Sequence, residues 1–216
     1  MAIEKHFVEE GIKEADIEEY LSKEFDRAGY SHIEIQRTPL GTRIVVYANR
    51  PGLVIGKSGS RIKEMTDNIQ RKFKLENPML DVREVENPFL DAQVVANNIT
   101  KSIERGGFYK KVANYYIDEI MKAGAVGVQI RVGGRLGGEK ARFQKFKKGY
   151  IKHSGYYADN LVDKGKATAI TKPGVIGVQV KILKEIPEGE LKIIEEEKEE
   201  EKVEKVEDKG TEKTKA

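Results

Sequence analysis

Residues 51–65 read PGLVIGKSGSRIKEM, and this stretch decides the fold of the first half of the chain. A Gly-Lys-Ser-Gly loop occupies residues 56–59. After it, apolar residues recur from Ile62 to Phe73 at spacings of three and four, which is typical of an amphipathic helix. Residues 52–55 predict a short helix before the loop. The glycine pair therefore lies in a loop between two helices.

The residue types of this loop suit contact with a nucleic-acid backbone. Because glycine has no side chain, phosphate oxygens can approach the loop closely. The following helix offers free amide groups and the positive end of its dipole, and lysine and arginine add charge. The predicted RNA-binding residues here are Gly56, Lys57, Ser58, Gly59 and Arg61. A structural turn without a ligand is the alternative, because glycine is common in turns.

The phosphate-binding loop of nucleotide hydrolases requires a different spacing. That motif places its first glycine five positions before the glycine that precedes lysine. Here that position is Pro51, and Gly52 lies only four positions before Gly56. We therefore reject nucleotide hydrolysis at this loop.

The elements around the loop are predicted from their apolar periods. An apolar stripe predicts a helix over residues 13–28. Alternating residues predict two strands, 33–37 and 42–48, which form a hairpin around a turn at 39–41. A further strand is expected at 80–85. The predicted order is helix, strand, strand, short helix, glycine loop, helix, strand.

This order, with a GxxG loop between two helices, resembles the type II KH domain, an RNA-binding module. The resemblance implies that the loop clamps a nucleotide backbone. It also implies that Ile55, Ile62 and an apolar strand face form the groove under the bases. We expect residues 1–88 to form this domain.

The second half of the chain predicts two helices on a small, largely antiparallel sheet. Asp91 caps the first helix, and the second runs over 108–122. The apolar period then changes to two: GVQIRV at 127–132 is nearly repeated as GVQVKI at 177–182, and 166–171 fits another strand. The fold class is therefore α+β, with a KH domain followed by a second two-layer α/β domain.

The charge of the chain is distributed unevenly. Residues 131–183 carry 12 basic and 3 acidic residues, whereas 184–216 carry 8 basic and 13 acidic ones. A basic segment of this size is typical of a protein with a polyanionic partner, most simply nucleic acid, although a solvated charged face is the alternative. Residues 187–216 contain too few apolar residues to offset the entropy of ordering. We predict a basic RNA-binding domain at 89–186 and a disordered acidic tail at 187–216.

Four stretches of the second half carry a more specific pattern. They are 124–127, 133–142, 151–155 and 174–182, which read GAVG, GGRLGGEKAR, IKHSG and GVIGVQVKI. With the KH-like region, they resemble the family of small-subunit ribosomal protein three in its archaeal or eukaryotic form. The resemblance implies a structural protein in the head of the small subunit of the cytoplasmic ribosome. Its implied partners are small-subunit rRNA, neighbouring head proteins and messenger RNA in the channel by which it enters.

The resemblance also assigns roles to basic residues. Lys110 and Lys111 occupy the place of a basic pair that helps to unwind messenger RNA, a role that rests on phosphate contacts. Bacterial members carry a third basic residue where this chain has Asn114. We expect Phe143 and Phe146 to pack inward rather than stack on bases. The predicted rRNA face consists of Arg131, Arg135, Lys140, Arg142, Lys145, Lys147, Lys148 and Lys152.

The sequence offers no support for an enzymatic or membrane function. The chain has no cysteine and only three scattered histidines, so we expect no thiol nucleophile and no metal site. No apolar run is long enough for a membrane span. We predict no cofactor, no small-molecule substrate and no membrane partner. Two alternatives stay open: a lyase acting at abasic DNA sites, which needs a lysine of lowered pKa, and a free regulatory KH protein.

Overall fold

The computed structural model describes residues 2–38, 41–75 and 77–185. Within these residues the chain forms two units, each a β-sheet with helices packed against it and each with its own apolar core. The predicted α+β fold class is confirmed. The predicted disordered tail, 187–216, lies outside the described residues, as do positions 39 and 40 of the predicted hairpin turn.

The N-terminal unit has the predicted order of elements. Its helices and strands are α1 (Ala2–Glu24), β1 (Tyr30–Thr38), β2 (Gly41–Ala48), α2 (Pro51–Ile55), α3 (Ser60–Phe73) and β3 (Met79–Glu84). A 3-10 turn, Asp26–Ala28, separates α1 from β1. The central strand β2 is antiparallel to β1 and parallel to β3. The predicted hairpin and the short helix before the glycine loop are thus both present.

Helix α1 begins earlier than the apolar pattern predicted. The expected stripe, from Ile17 to Ala28, packs into the core of the N-terminal unit. The chain then turns at Gly29, whose φ of 73° is left-handed. Residues 4–12 are helical too, yet none of them is buried, and Phe7 is 68% exposed. A pattern that looks for a buried stripe therefore missed this segment.

The C-terminal unit is a four-stranded antiparallel sheet with two long helices on one face. Its elements are α4 (Ala92–Glu104), α5 (Tyr109–Lys122), β4 (Gly127–Gly134), β5 (Arg142–Gly149), α6 (Tyr156–Asn160), β6 (Val162–Thr171) and β7 (Gly174–Leu183). The strand order is β5-β4-β7-β6. Asp91 caps α4 as predicted, since its carboxylate accepts a hydrogen bond from the Val94 amide at 2.9 Å. The short helix α6 was not predicted.

The near-repeat GVQIRV and GVQVKI forms the centre of this sheet. The two copies lie on the neighbouring strands β4 and β7 and run antiparallel. Their apolar residues are buried against the helices, so their polar residues share the other face. There Gln129 lies opposite Lys181, and Arg131 lies opposite Gln179. The repeat therefore gives the sheet one apolar face and one polar, cationic face.

Polar contacts join the two units where α4 meets β1. The Ser31 hydroxyl donates a hydrogen bond to the Asp91 carboxylate. The Asn97 amide donates to the carbonyl oxygen of Tyr30 at 3.4 Å. Asp91 therefore caps α4 and also ties the helix to the N-terminal sheet.

Candidate nucleic-acid interface

The GxxG loop has a backbone conformation that favours glycine. Gly56 has a φ of 73°, and a Cβ at this position would lie 2.7 Å from the Cβ of Arg61. Gly59 has a φ of 76° and is the N-cap of α3, with no side-chain capping bond. Lys57 and Ser58 stand exposed between the two glycines. The loop therefore presents backbone and one lysine at the uncapped, positive end of a helix.

Arg61 holds this loop in place. Its guanidinium donates to the carbonyl oxygen of Leu53 at 3.2 Å and to that of Glu24 at 3.5 Å. These two contacts link α3 to α2 and to the end of α1. Leu53 and Ile55 remain 45% and 40% exposed beside the loop, so an apolar surface adjoins the glycines. Arg61 thus has a structural role in addition to its predicted contact with RNA.

The second candidate surface is the face of the four-stranded sheet that α4 and α5 leave uncovered, which we name the open sheet face. Side chains alternate along a strand, so the strand register determines which residues share this face. Across the described strands, none of its positions carries a carboxylate; Asp163 of β6 points to the opposite face and accepts a hydrogen bond from the Ala92 amide at 3.0 Å. The cations on the open sheet face are Arg131, Lys145, Lys147, Lys164, Lys166 and Lys181. Of these, Lys164 forms an ion pair with Asp159 of α6 at 2.8 Å.

The strand register aligns these cations in two rows across the sheet. One row is Lys147, Gln129, Lys181 and Lys164, and the next is Lys145, Arg131, Gln179 and Lys166. The three lysines of β6 and β7 were not among the predicted RNA-binding residues. The alternation around buried Val180 was a signal that the Lys181 side chain points away from the core. The pairing of β6 with β7, which brings the lysines together, is not visible in the sequence.

His153 lies close enough to the open sheet face to be affected by its charge. Desolvation, followed by the positive charges of Lys147, Lys181 and Lys145, lowers the pKa of His153. The three lysines come from two different strands, β5 and β7. Their combined effect on one imidazole indicates a region of positive potential at this part of the sheet.

Phe143 does not pack inward, and that prediction was wrong. Its register partner is Gly133, so its ring lies on the open sheet face, where the residue is 61% exposed. The Arg131 guanidinium lies over the ring, 4.7 Å from its centroid. Phe146 packs against the core as expected. Residues an odd number of positions apart on a strand point to opposite faces of the sheet, so the two rings cannot both pack into the core.

A third cationic surface surrounds the start of α5, and we name it the α5 basin. It is a cavity of about 580 Å³ between α5 and the loop that joins β4 to β5. Its lining includes three cations, Lys110, Lys140 and Arg142, and one carboxylate, Glu139, together with the glycines at 137 and 138. Lys111 is exposed at the next position of the helix. The fold thus brings one lysine of the predicted messenger-binding pair to two residues of the predicted rRNA face.

The remaining predicted residues make contacts inside the protein. Arg135 donates to the carbonyl oxygen of Pro173 at 3.0 Å, and Lys148 donates to the Asp118 carboxylate at 2.7 Å. The Lys148 contact lowers the pKa of Asp118. The Lys152 ammonium lies 5.8 Å from the centroid of an aromatic ring of α6. The predicted rRNA face is therefore divided between the open sheet face, the α5 basin and internal contacts.

Comparison with known proteins assigns both units to one family. Residues 16–90 match the family model of the KH domain, and residues 99–182 match that of the ribosomal protein S3 C-terminal domain. A protein of Methanocaldococcus jannaschii named small ribosomal subunit protein uS3 is 48% identical over 84% of this chain and 88% of its own length. The chain belongs to the uS3 family. The resemblance noted in the sequence is thereby confirmed.

Two further uS3 proteins are similar to this chain over most of its length. Those of Methanothrix thermoacetophila and Natronomonas pharaonis are 46% and 44% identical over 85% and 88% of this chain. The chain spans 66% and 62% of those two relatives. The matches to this uS3 chain include both the GxxG loop and the open sheet face.

The uS3 relatives are named as ribosomal proteins and not as enzymes, in agreement with the prediction that this chain is not an enzyme. Among the described residues, no group of three histidine, cysteine or carboxylate side chains could hold a metal ion. In the same part of the chain, no helix combines the length and apolar character needed to cross a membrane. None of the described lysines is buried, so burial does not mark any of them as the nucleophile of a lyase.

Proposed function

We propose that this chain is a structural constituent of the head of the small ribosomal subunit in the cytoplasm, where it binds small-subunit rRNA and neighbouring head proteins. The observation that carries this proposal is membership of the uS3 family together with the basic surfaces of the C-terminal unit. Phosphate contacts would dominate such binding, because lysine and arginine neutralise the RNA backbone. We place the domain boundary between β3 and α4, with a KH domain at 1–88 and a basic domain at 89–186.

The proposed RNA contacts comprise three groups. The GxxG loop contributes backbone amides and Lys57, the open sheet face contributes its rows of cations, and the α5 basin contributes Lys140 and Arg142. On the two C-terminal surfaces, the predicted residues make no polar contact with the described part of the chain. The exception is Arg131, which lies over the Phe143 ring. We propose that these surfaces hold rRNA, whereas Lys148 and Arg135 support the fold beside them.

We further propose that Lys110 and Lys111 line the channel by which messenger RNA enters and contribute to its unwinding. Both side chains are exposed on the first turn of α5, and Asn114 one turn later is exposed as well. Substitution of both lysines by alanine should reduce translation of structured messengers and leave unstructured ones unaffected. Loss of subunit assembly instead would show that these lysines bind rRNA.

Sedimentation tests the assignment to the small subunit. The tagged full chain is followed through a sucrose gradient of cell lysate at high salt, with the subunits separated by low magnesium. We expect stoichiometric migration with the small subunit, resistant to salt that removes weak electrostatic binders. Migration at the top of the gradient would overturn the proposal and favour the free KH protein or the lyase.

A further inference from the structure

The open sheet face contains a shallow cavity whose floor is made of glycine. A third row crosses the sheet beyond the two cationic rows, with Phe143, Gly133, Gly177 and Thr168 aligned on the four strands. A cavity of about 440 Å³ lies over the two glycines. Lys166, Thr168 and Gln179 are among its lining residues. The Phe143 ring therefore stands beside a shallow groove whose lining also includes the two cations Arg131 and Lys166.

The fold does not require glycine at the floor of this groove. A Cβ at Gly133 would meet only the Cβ of Phe143 at 3.7 Å, and a Cβ at Gly177 only the carbonyl oxygen of Gly133 at 3.9 Å, both ordinary contacts. Gly165 on the opposite face differs, because a Cβ there would overlap the carbonyl oxygen of Ala92 in α4. The glycines at 133 and 177 keep space open above the sheet, whereas Gly165 is needed for packing.

The exposed ring of Phe143 points to a stacking partner. Arg131 covers one side of the ring and fixes its position, and the residue is still 61% exposed. A base inside an RNA duplex has both faces covered by neighbouring bases and cannot stack on such a ring, whereas an unpaired base can. The Thr168 hydroxyl and the Gln179 amide beside the groove can bond base edges or a 2′-hydroxyl. Lysines on either side match the phosphates in charge.

We propose that the open sheet face binds an unpaired segment of RNA, with one base stacked on Phe143 and the neighbouring nucleotide over Gly133 and Gly177. Lys166 and Lys181 contact its phosphates. The inference rests on the proposed rRNA-binding function and adds the class of RNA and the mode of contact. Stacking on an aromatic side chain tolerates any base, so the face selects unpaired RNA rather than a sequence.

Stacking is tested on the full chain with a short oligoadenylate that carries 2-aminopurine at its centre, alone or annealed to its complement. Phe143→Ala should weaken binding of the single strand by about tenfold and abolish the quenching of 2-aminopurine. Phe143→Tyr should retain both, because its ring stacks equally well. Phe7→Ala, at a ring that is 68% exposed on α1, is the matched control and should change neither.

The groove and its cations are tested separately. Gly177→Val should fill the groove and weaken single-strand binding to a similar extent without lowering the melting temperature, because a Cβ at this position meets only an ordinary contact. The double variant Lys166→Gln/Lys181→Gln should lower the slope of log affinity against log salt by about 1.4 on a single strand. Lys5→Gln/Lys13→Gln removes the same charge at exposed positions of α1, outside the open sheet face, and should leave the slope unchanged.

The outcomes distinguish failure of this inference from failure of the proposed function. If the lysine variant weakens the duplex and the single strand equally and Phe143→Ala weakens neither, the face binds RNA backbone without stacking and the inference is overturned. If neither variant affects RNA binding but variants of the GxxG loop do, the face does not bind RNA and the inference is again overturned. If the full chain binds no RNA at all, the proposed function fails with it.

Discussion

The GxxG loop and the open sheet face present positive surfaces to the same kind of ligand by opposite means. In the loop, backbone conformation is decisive: left-handed glycines turn the chain at the start of α3, and Lys57 is the one charged side chain between them. On the sheet, side chains are decisive, because cations from four strands are aligned by register. A site made of backbone is contiguous in sequence, whereas a site made of a sheet face is not.

The largest expected effect is a difference in folding stability between glycine substitutions in the two regions. Gly56→Ala should destabilise the protein by about 1–3 kcal/mol, because alanine is strained at a left-handed φ and its Cβ would press on Arg61. Gly177→Ala should change stability by less than about 0.5 kcal/mol. Urea unfolding followed by circular dichroism measures both. Equal losses would remove the distinction between a backbone-built and a side-chain-built surface.

A second prediction concerns Arg61, which the sequence placed among the RNA contacts. Arg61→Ala should destabilise the protein by about 1–2 kcal/mol, because the carbonyl oxygens of Leu53 and Glu24 lose a charged donor. Lys57→Ala, at the exposed tip of the same loop, should leave the unfolding midpoint unchanged while weakening RNA binding. If Arg61→Ala weakens RNA binding with no change in the midpoint, its role is direct contact and not support.

Much of this comparison could be predicted from the sequence, and the missing part has a physical cause. The loop, the order of elements and the strands of the near-repeat were all expected, because each depends on neighbours within a few residues. The position of Phe143 was predicted wrongly, although its odd separation from Phe146 already excluded a shared face. Lys164 and Lys166 could not be assigned, since strand pairing decides their neighbours. Helix α6 has too short a pattern to detect.

A third prediction uses two adjacent lysines on opposite faces of β5. Lys147 lies on the open sheet face, and Lys148 donates to Asp118 of α5. Lys147→Gln should reduce the salt slope of RNA binding by about 0.7 for a single strand, because one phosphate contact is lost. Lys148→Gln removes the same charge and should not change the slope. Equal changes would show that overall charge, and not the face, determines binding.

The smallest expected effect is a pKa change at His153. Its lowered pKa favours the neutral imidazole in the folded protein, so its contribution to stability is present above the unfolded pKa of about 6.5 and decreases as pH falls below it. Phosphates bound on the open sheet face should raise the pKa of His153, and Lys147→Gln should raise it without RNA. NMR titration of the imidazole measures both, with Lys72→Gln on α3 as the control. A His153 pKa that stays constant when RNA binds would place the RNA elsewhere.

Photochemical cross-linking in purified small subunits tests the central claim most directly, namely that both regions bind rRNA within one particle. Ultraviolet irradiation followed by mass spectrometry identifies the peptides joined to nucleotides. We expect rRNA adducts on the peptide that contains Gly56 to Gly59 and on the β5 peptide that contains Phe143. Adducts confined to one of the two regions, or a β5 peptide joined only to protein, would contradict it.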